Sequence, residues 1–195
     1  MTAPSYDESE HFLDATSSRR IELREKADES AGGLAKRRAI EQTTGTNDAS
    51  IVDRIEQLGF NGESIKVLDL LPLIHVAWAD GRIQKSERAL ILSILEQRGI
   101  PPRSDASLFI EALLEARPSE TFLAESLALL VDLAAKTGAN KDDIVDLCTK
   151  VADAGGGLMS FGAKTTDAER ALIKDVATAL GDSALTRFRA TFEKS

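Results

Sequence analysis

Between Ser64 and Trp78 the chain carries Ile65, Leu68, Leu70, Leu71, Leu73, Ile74, Ala77 and Trp78, which together cover most faces of a helix. A helix that is apolar nearly all round cannot lie on a surface, so it belongs in the centre of a bundle with other helices laid against it. Pro72 either kinks this helix or sits in its first turn. The neighbouring segments supply the surrounding layer. Apolar residues recur at helical spacing over about Ala49–Leu58, Lys85–Arg98, Ser104–Glu115, Ser119–Lys136, Lys141–Ala154, Asp167–Leu180 and Ser183–Glu193. Gly59, with Phe60 after it, closes the first of these; Gly99, Pro101 and Pro102 stop the second; Ser119 opens a helix, and Gly138 and Gly181 follow two others. No segment sustains the alternation of a strand. Hydrophobic residues are 43 % of the chain and aromatic residues only 5 %, so the core is built from Leu, Ile, Val and Ala, the composition of packed helices rather than of a sandwich or barrel. The expectation is an all-α bundle of about seven to nine helices.

Residues 1–46 differ from the rest. Asp7 to Gln42 is dense in both charge signs, with few apolar anchors (Phe12, Leu13, Ile21, Leu23, Leu34, Ile40), a Glu22–Lys26 pair at helical spacing, and an interruption at Gly32-Gly33. This stretch reads as a charged helical extension, either a solvated one or an arm that binds a partner. Thr43–Asp48 is a cluster of breakers and marks a linker, which places the helical domain at 47–195.

The formal net charge of −8 argues against nucleic acid as a partner, because phosphates must be neutralised by a basic face, and weakens direct attraction to anionic lipid. Cys148 is the single cysteine, on one stripe with Ile144, Leu147 and Val151; it reads as a small buried hydrophobe, and the chain makes no intramolecular disulfide. Met1–Glu10 is polar and acidic with no secretory pattern, and the longest apolar stretch, Leu70–Ala79, is too short to span a bilayer. The expected location is cytoplasmic.

The pentapeptide Glu-Arg-Ala-Leu-Ile occurs twice, at Glu87–Ile91 and Glu169–Ile173, and Val76–Gly81 upstream of the first resembles Val151–Gly156 upstream of the second. Each copy reads helix, Ala/Gly turn, helix. The repeat therefore predicts two pseudo-symmetric helical hairpins.

The first turn, Asp80 to Glu87, matches the second half of a calcium loop, with Asp80 at loop position 5, Gly81 at 6, Ile83 at 8 and Glu87 at 12. Positions 1 and 3 are Val76 and Trp78, which offer no side-chain oxygen, so a true EF-hand is rejected. A structural reading accounts for the same residues. Gly81 takes the positive φ that ends a helix, Asp80 bonds turn amides, and Glu87 reaches back as a capping-box residue, as Glu169 does in Thr166-Asp167-Ala168-Glu169. In the second copy Gly155 aligns with Asp80 and Lys150 with His75, so His75 reads as a helix-face residue. The functional alternative is a weak metal site of Asp80 and Glu87, with a divalent cation as the one cofactor considered.

The string HVAWADGRIQKSERALILSILEQRGI, His75 to Ile100, resembles the TerB-like tellurite-resistance domain, whose mark is an Ala-x-Ala-Asp-Gly turn followed by a helix opening with Ser-x-Glu or Glu-Arg. The resemblance is strong over this hairpin, looser to Leu180, and does not reach residues 1–60. It implies an all-helical fold of paired halves, a metal site that maps onto Asp80 and Glu87, and a role in stress-resistance assemblies, often membrane-associated through a complex, or as an interaction module. The second turn departs from the pattern by lacking the acidic residue.

Gly157 to Thr165 is a near miss to a phosphate-binding loop, with Ala163 inserted before Lys164 and a helix where a strand should precede it. It reads as a glycine-rich connector whose Leu158, Met159 and Phe161 either pack back or form an exposed tip. With two histidines, one of them His11 in the extension, no catalytic spacing is interpretable. The sequence thus predicts no enzyme. It predicts a TerB-like interaction or scaffold domain with a protein partner, and as the alternative a metal sensor or sequestering protein using Asp80 and Glu87.

Overall fold

The computed structural model describes Arg24, Lys26 and residues 28–138, 142–155 and 165–193. Glu22 of the Glu22–Lys26 pair, the anchors Phe12, Leu13, Ile21 and Leu23, and the connector residues Leu158, Met159, Phe161 and Lys164 lie outside the described residues.

The described residues are helical, with no strand among them. Helix α1 covers 28–44 and is followed by α2 (Ala49–Gln57), a 3-10 helix (Ser64–Leu70), α3 (Leu71–Ala77), α4 (Lys85–Gln97), α5 (Asp105–Glu115), α6 (Glu120–Thr137), α7 (Asp142–Gly155), α8 (Asp167–Leu180) and α9 (Asp182–Phe192). The all-α bundle expected from the sequence is what the chain forms.

The chain divides into two compact units, Met1–Arg38 and Ala39–Ser195. In the first, residues 28–38 are helical straight through Gly32 and Gly33, where an interruption was expected. Glycine in a helix costs about 1 kcal/mol relative to alanine, which weakens a helix without forbidding it. Leu34 in this unit is 57 % exposed. The second unit begins before the expected linker. Ile40 is fully buried in its core, and Thr43 Oγ1 donates to the Gly62 carbonyl at 2.8 Å. Here the backbones press together: a Cβ on Gly62 would stand 2.7 Å from Ala39 Cβ and 2.9 Å from its carbonyl carbon. Gly62→Ala is expected to destabilise the fold by about 1–3 kcal/mol, because the neighbour that must yield is backbone, and chemical denaturation measures it.

Apolar burial organises the second unit around α3. Leu73, Ile74 and Val76 are fully buried. Helices α6, α7 and α8 and the 3-10 helix all pack on α3, while α4 packs on α7, α5 on the 3-10 helix, α2 on α6, and α9 on α7 and α8. The segment read as one helix, Ser64–Trp78, is a 3-10 helix running into an α-helix, with Pro72 in the first turn of the latter. Proline is tolerated there because the first-turn amides have no intrahelical partner. At the other end of α3, Trp78 Nε1–H donates to the Leu113 carbonyl at 2.9 Å, which ties this helix to α5.

The helix ends follow their local chemistry. Ser104, Ser119 and Thr166 cap α5, α6 and α8 by accepting from the amide three residues on. Gly59, with φ +81°, follows α2, and Phe60 folds back into a cluster with Phe109 and Phe122, ring centroids 4.7 and 6.4 Å away. Asp48 caps α2 and accepts from Lys136 Nζ of α6 at 2.9 Å. Hydrogen bonds from Lys136 and then Ser50 hold its carboxyl down at about 2. Arg54–Asp132 makes a second bridge between the same two helices.

A buried carboxyl site between two related turns

The two copies of the repeat meet crosswise. Helix α4 packs on α7 and α8 on α3; Gly155, ending α7, lies against Gln84 and Glu87 at the start of α4, and Asp80, beyond α3, bonds Thr166 at the start of α8. Each turn is made by the same device. Glu87 Oε2 accepts from the Gln84 amide at 2.6 Å, and Glu169 Oε2 accepts from the Thr166 amide at 2.6 Å. Both are the third residue of their helix reaching back to the cap, and Thr166 Oγ1 returns the favour by accepting from the Glu169 amide at 3.2 Å. Gly81, with φ +79°, allows the sharp exit from α3 that delivers the chain to α4.

These caps are unusual in being buried. Glu87 is 2 % exposed and Glu169 4 % exposed. They lie near enough that the charge of Glu169 helps raise the proton affinity of Glu87. Asp80 lies beside them, its Oδ1 accepting from Thr166 Oγ1 at 3.3 Å. Opposite, the end of α7 supplies Gly155, on which a Cβ would stand 2.6 Å from Glu87 Oε1 and 3.3 Å from Gln84 Nε2. The alignment of Asp80 with Gly155 acquires a physical meaning here. Asp80 lies against the cap of α8, and Gly155 lies against the cap of α4, where the Glu87 carboxyl takes the room of a side chain.

Burial of the charged form is the largest influence on Glu87 and pushes it up, from 4.5 to about 7. The bond from the Gln84 amide opposes this, and the charges of Glu169 and Asp80 reinforce it. Near neutral pH, Glu87 is therefore poised between a neutral acid that donates and a carboxylate that cannot.

Asp80 and Glu87, the residues proposed from the sequence as a metal pair, are thus brought together, with Glu169 and Thr166 joining them. Glu169 was legible as a capping residue but not as a neighbour of Glu87. The signal was present, since both glutamates open the repeated pentapeptide. The donor set does not fit a calcium-type cation, which needs six to eight oxygens. Glu87 Oε2 is committed to an amide and Asp80 Oδ1 to a hydroxyl, and among the described residues no group of three or more His, Cys, Asp or Glu is gathered closely enough to hold a metal ion. Metal-stripped protein is expected to show no rise in melting temperature with Ca²⁺, Mg²⁺, Mn²⁺ or Zn²⁺. Saturation at about 100 times Kd adds about 2.7 kcal/mol, so a rise that Asp80→Asn abolishes would establish the metal site.

Other titratable groups stand elsewhere. His75 on α3 is lowered by burial, while Glu120, 3.5 Å from its Nε2, acts in the opposite sense. Cys148 is fully buried on α7 and burial pushes its thiol up, far from the range of a nucleophile. Comparison with protein-family models, curated proteins and solved structures returned no match. None of the described helices is long and apolar enough to cross a membrane.

Proposed function

We propose that the chain is a non-enzymatic, TerB-like helical module that joins protein partners in a stress-response assembly of the tellurite-resistance type. The observation that carries the partner-binding reading is the exposed helical stretch 28–38, with Leu34 57 % exposed among Asp28, Glu29, Lys36 and Arg38. The exposed Leu34 side chain of this helix would be removed from water by lying in a groove of another protein. An exposed stretch that carries Leu34 among charges is thus suited to another protein's surface. The TerB-like element of the reading rests on the string His75–Ile100 and on the crosswise pairing of the two hairpins.

The carboxyl site supports a structural rather than a turnover role. Glu87 and Glu169 are consumed as reciprocal caps, and neither faces solvent. The membrane association implied by the resemblance belongs to this reading as a property of the complex rather than of the chain.

The test is cross-linking of the tagged full chain in its native cells, beside Leu34→Lys and a second exposed leucine changed in the same way, Leu108→Lys. A defined set of proteins retained by the wild type and by Leu108→Lys, and lost in Leu34→Lys, is the expected result. The same set retained by Leu34→Lys, or nothing above background with the wild type, overturns the proposal.

A further inference from the structure

Helix α3 is the element on which much of the bundle packs, and its last turn carries His75, whose side chain is only 19 % exposed. Its Nε2 faces a carboxylate on another helix, Glu120 Oε2 in the first turn of α6, at 3.5 Å. That separation is too long for a hydrogen bond and within reach of an ion pair once the ring is charged. The other oxygen of the same carboxylate, Glu120 Oε1, accepts from Arg117 Nη2 at 2.8 Å. Glu120 is thus already oriented between a permanent cation and a ring that becomes one in acid.

We propose that Glu120 is the counter-ion of His75 and that protonation of His75 ties the end of α3 to the start of α6. Neutral His75 leaves Glu120 to Arg117. When the ring takes a proton from solvent, both of its nitrogens carry hydrogen, so Nε2 is a charged donor and Glu120 Oε2 accepts from it. Arg117, Glu120 and His75 then form one line across the seam. The central helix thereby has a contact with α6 that strengthens as the pH falls.

The groups around His75 set its response. Glu120 from α6 and Asp175 from α8 favour the proton, and Arg117 from the turn before α6 opposes it. The buried side of α7 is Ile144, Val145, Cys148, Val151 and Ala152, and burial keeps its thiol protonated. On the 3-10 helix, Asp69 is paired with Arg98 and Lys66 with Glu63, each at 2.7 Å. Burial outweighs the carboxylates and lowers His75 from its ordinary 6.5. The stability that goes with the neutral ring is therefore fully present above 6.5 and is lost as pH falls through the lowered folded value. Glu120 limits that loss.

The experiment is a double-mutant cycle with His75→Gln, Glu120→Gln and the pair, read by urea unfolding on the acid and alkaline sides of the His75 step. Histidine NMR of the full chain locates the step; the chain has two histidines, and the signal remaining in His11→Gln is His75. On the acid side the two residues are expected to couple about threefold in the unfolding equilibrium constant, the size of an ion pair partly open to water, and on the alkaline side not at all. In Glu120→Gln the His75 midpoint falls further, its proton affinity weakened by a similar factor. Coupling that is absent on the acid side, or equal on both sides, overturns the proposal, as does a midpoint unmoved in Glu120→Gln. The Glu120 side chain is 67 % exposed, so this last result does not depend on a variant that disturbs the core.

Discussion

Raising the pH from 4.5 to 8 is expected to lower the unfolding free energy by about 3 kcal/mol through Glu87, and Glu87→Gln is expected to remove that loss. The sign follows from proton binding. Glu87 binds its proton with a pKa of about 7 when folded and near 4.5 when unfolded, so between these values the folded chain holds a proton that the unfolded chain has released. The stabilisation is fully present below 4.5, declines as pH rises through about 7, and is gone above. The magnitude is the difference between the two values at about 1.4 kcal/mol per unit, undiscounted because the side chain is 2 % exposed. Asp48 works in the opposite direction in a separate window. Its lowered value means stability is lost only as pH falls from 3.8 toward about 2. Urea denaturation at a series of pH values, wild type beside Glu87→Gln, measures both. Glutamine keeps an oxygen for the Gln84 amide and carries no charge, so the variant should match the wild type in acid and exceed it in alkali. Parallel profiles for the two proteins would show that Glu87 does not carry the effect.

Leu73→Ala is expected to cost about 2–5 kcal/mol, against less than about 0.5 kcal/mol for Leu108→Ala. Both are leucines on helices of the same bundle, but Leu73 is fully buried on α3 and Leu108 is 50 % exposed on α5. Helix α3 is the element on which three other α-helices and the 3-10 helix pack, so a cavity at Leu73 removes contacts that several helices share. Since small domains are stable by only about 5–15 kcal/mol, Leu73→Ala threatens the fold itself. Denaturant unfolding of both variants at pH 5, where Glu87 is protonated, isolates the packing term. Equal costs at the two positions would mean that α3 is not the centre of the bundle.

Much of the fold was legible because helix ends are written locally. Ser104, Ser119, Thr166, Gly59 and Gly138 mark boundaries by their own hydrogen bonds or backbone angles, and the structure uses each of them so. Where the reading differed, the deciding contact is distant in sequence. Ile40 looked like a weak anchor of a charged extension, yet it is fully buried, because Gly62 gives Ala39 a place to approach. The Ser64–Trp78 segment looked like one helix because apolar residues spaced by three suit a 3-10 helix and an α-helix equally. At the site, Asp80 and Glu87 were visible from the turn they share. That Glu169 and Thr166 complete it depends on how two hairpins cross, and the repeat in the sequence shows only that they are alike.

Glu87 and Glu169, at equivalent positions of two related buried turns, are expected to act as a unit. A double-mutant cycle on unfolding free energy at neutral pH, with Glu87→Gln, Glu169→Gln and the pair, tests it directly. Buried neighbours whose charges interact are expected to couple by about 1 kcal/mol or more. Effects that add to within about 0.5 kcal/mol would contradict the claim and leave two independent helix caps.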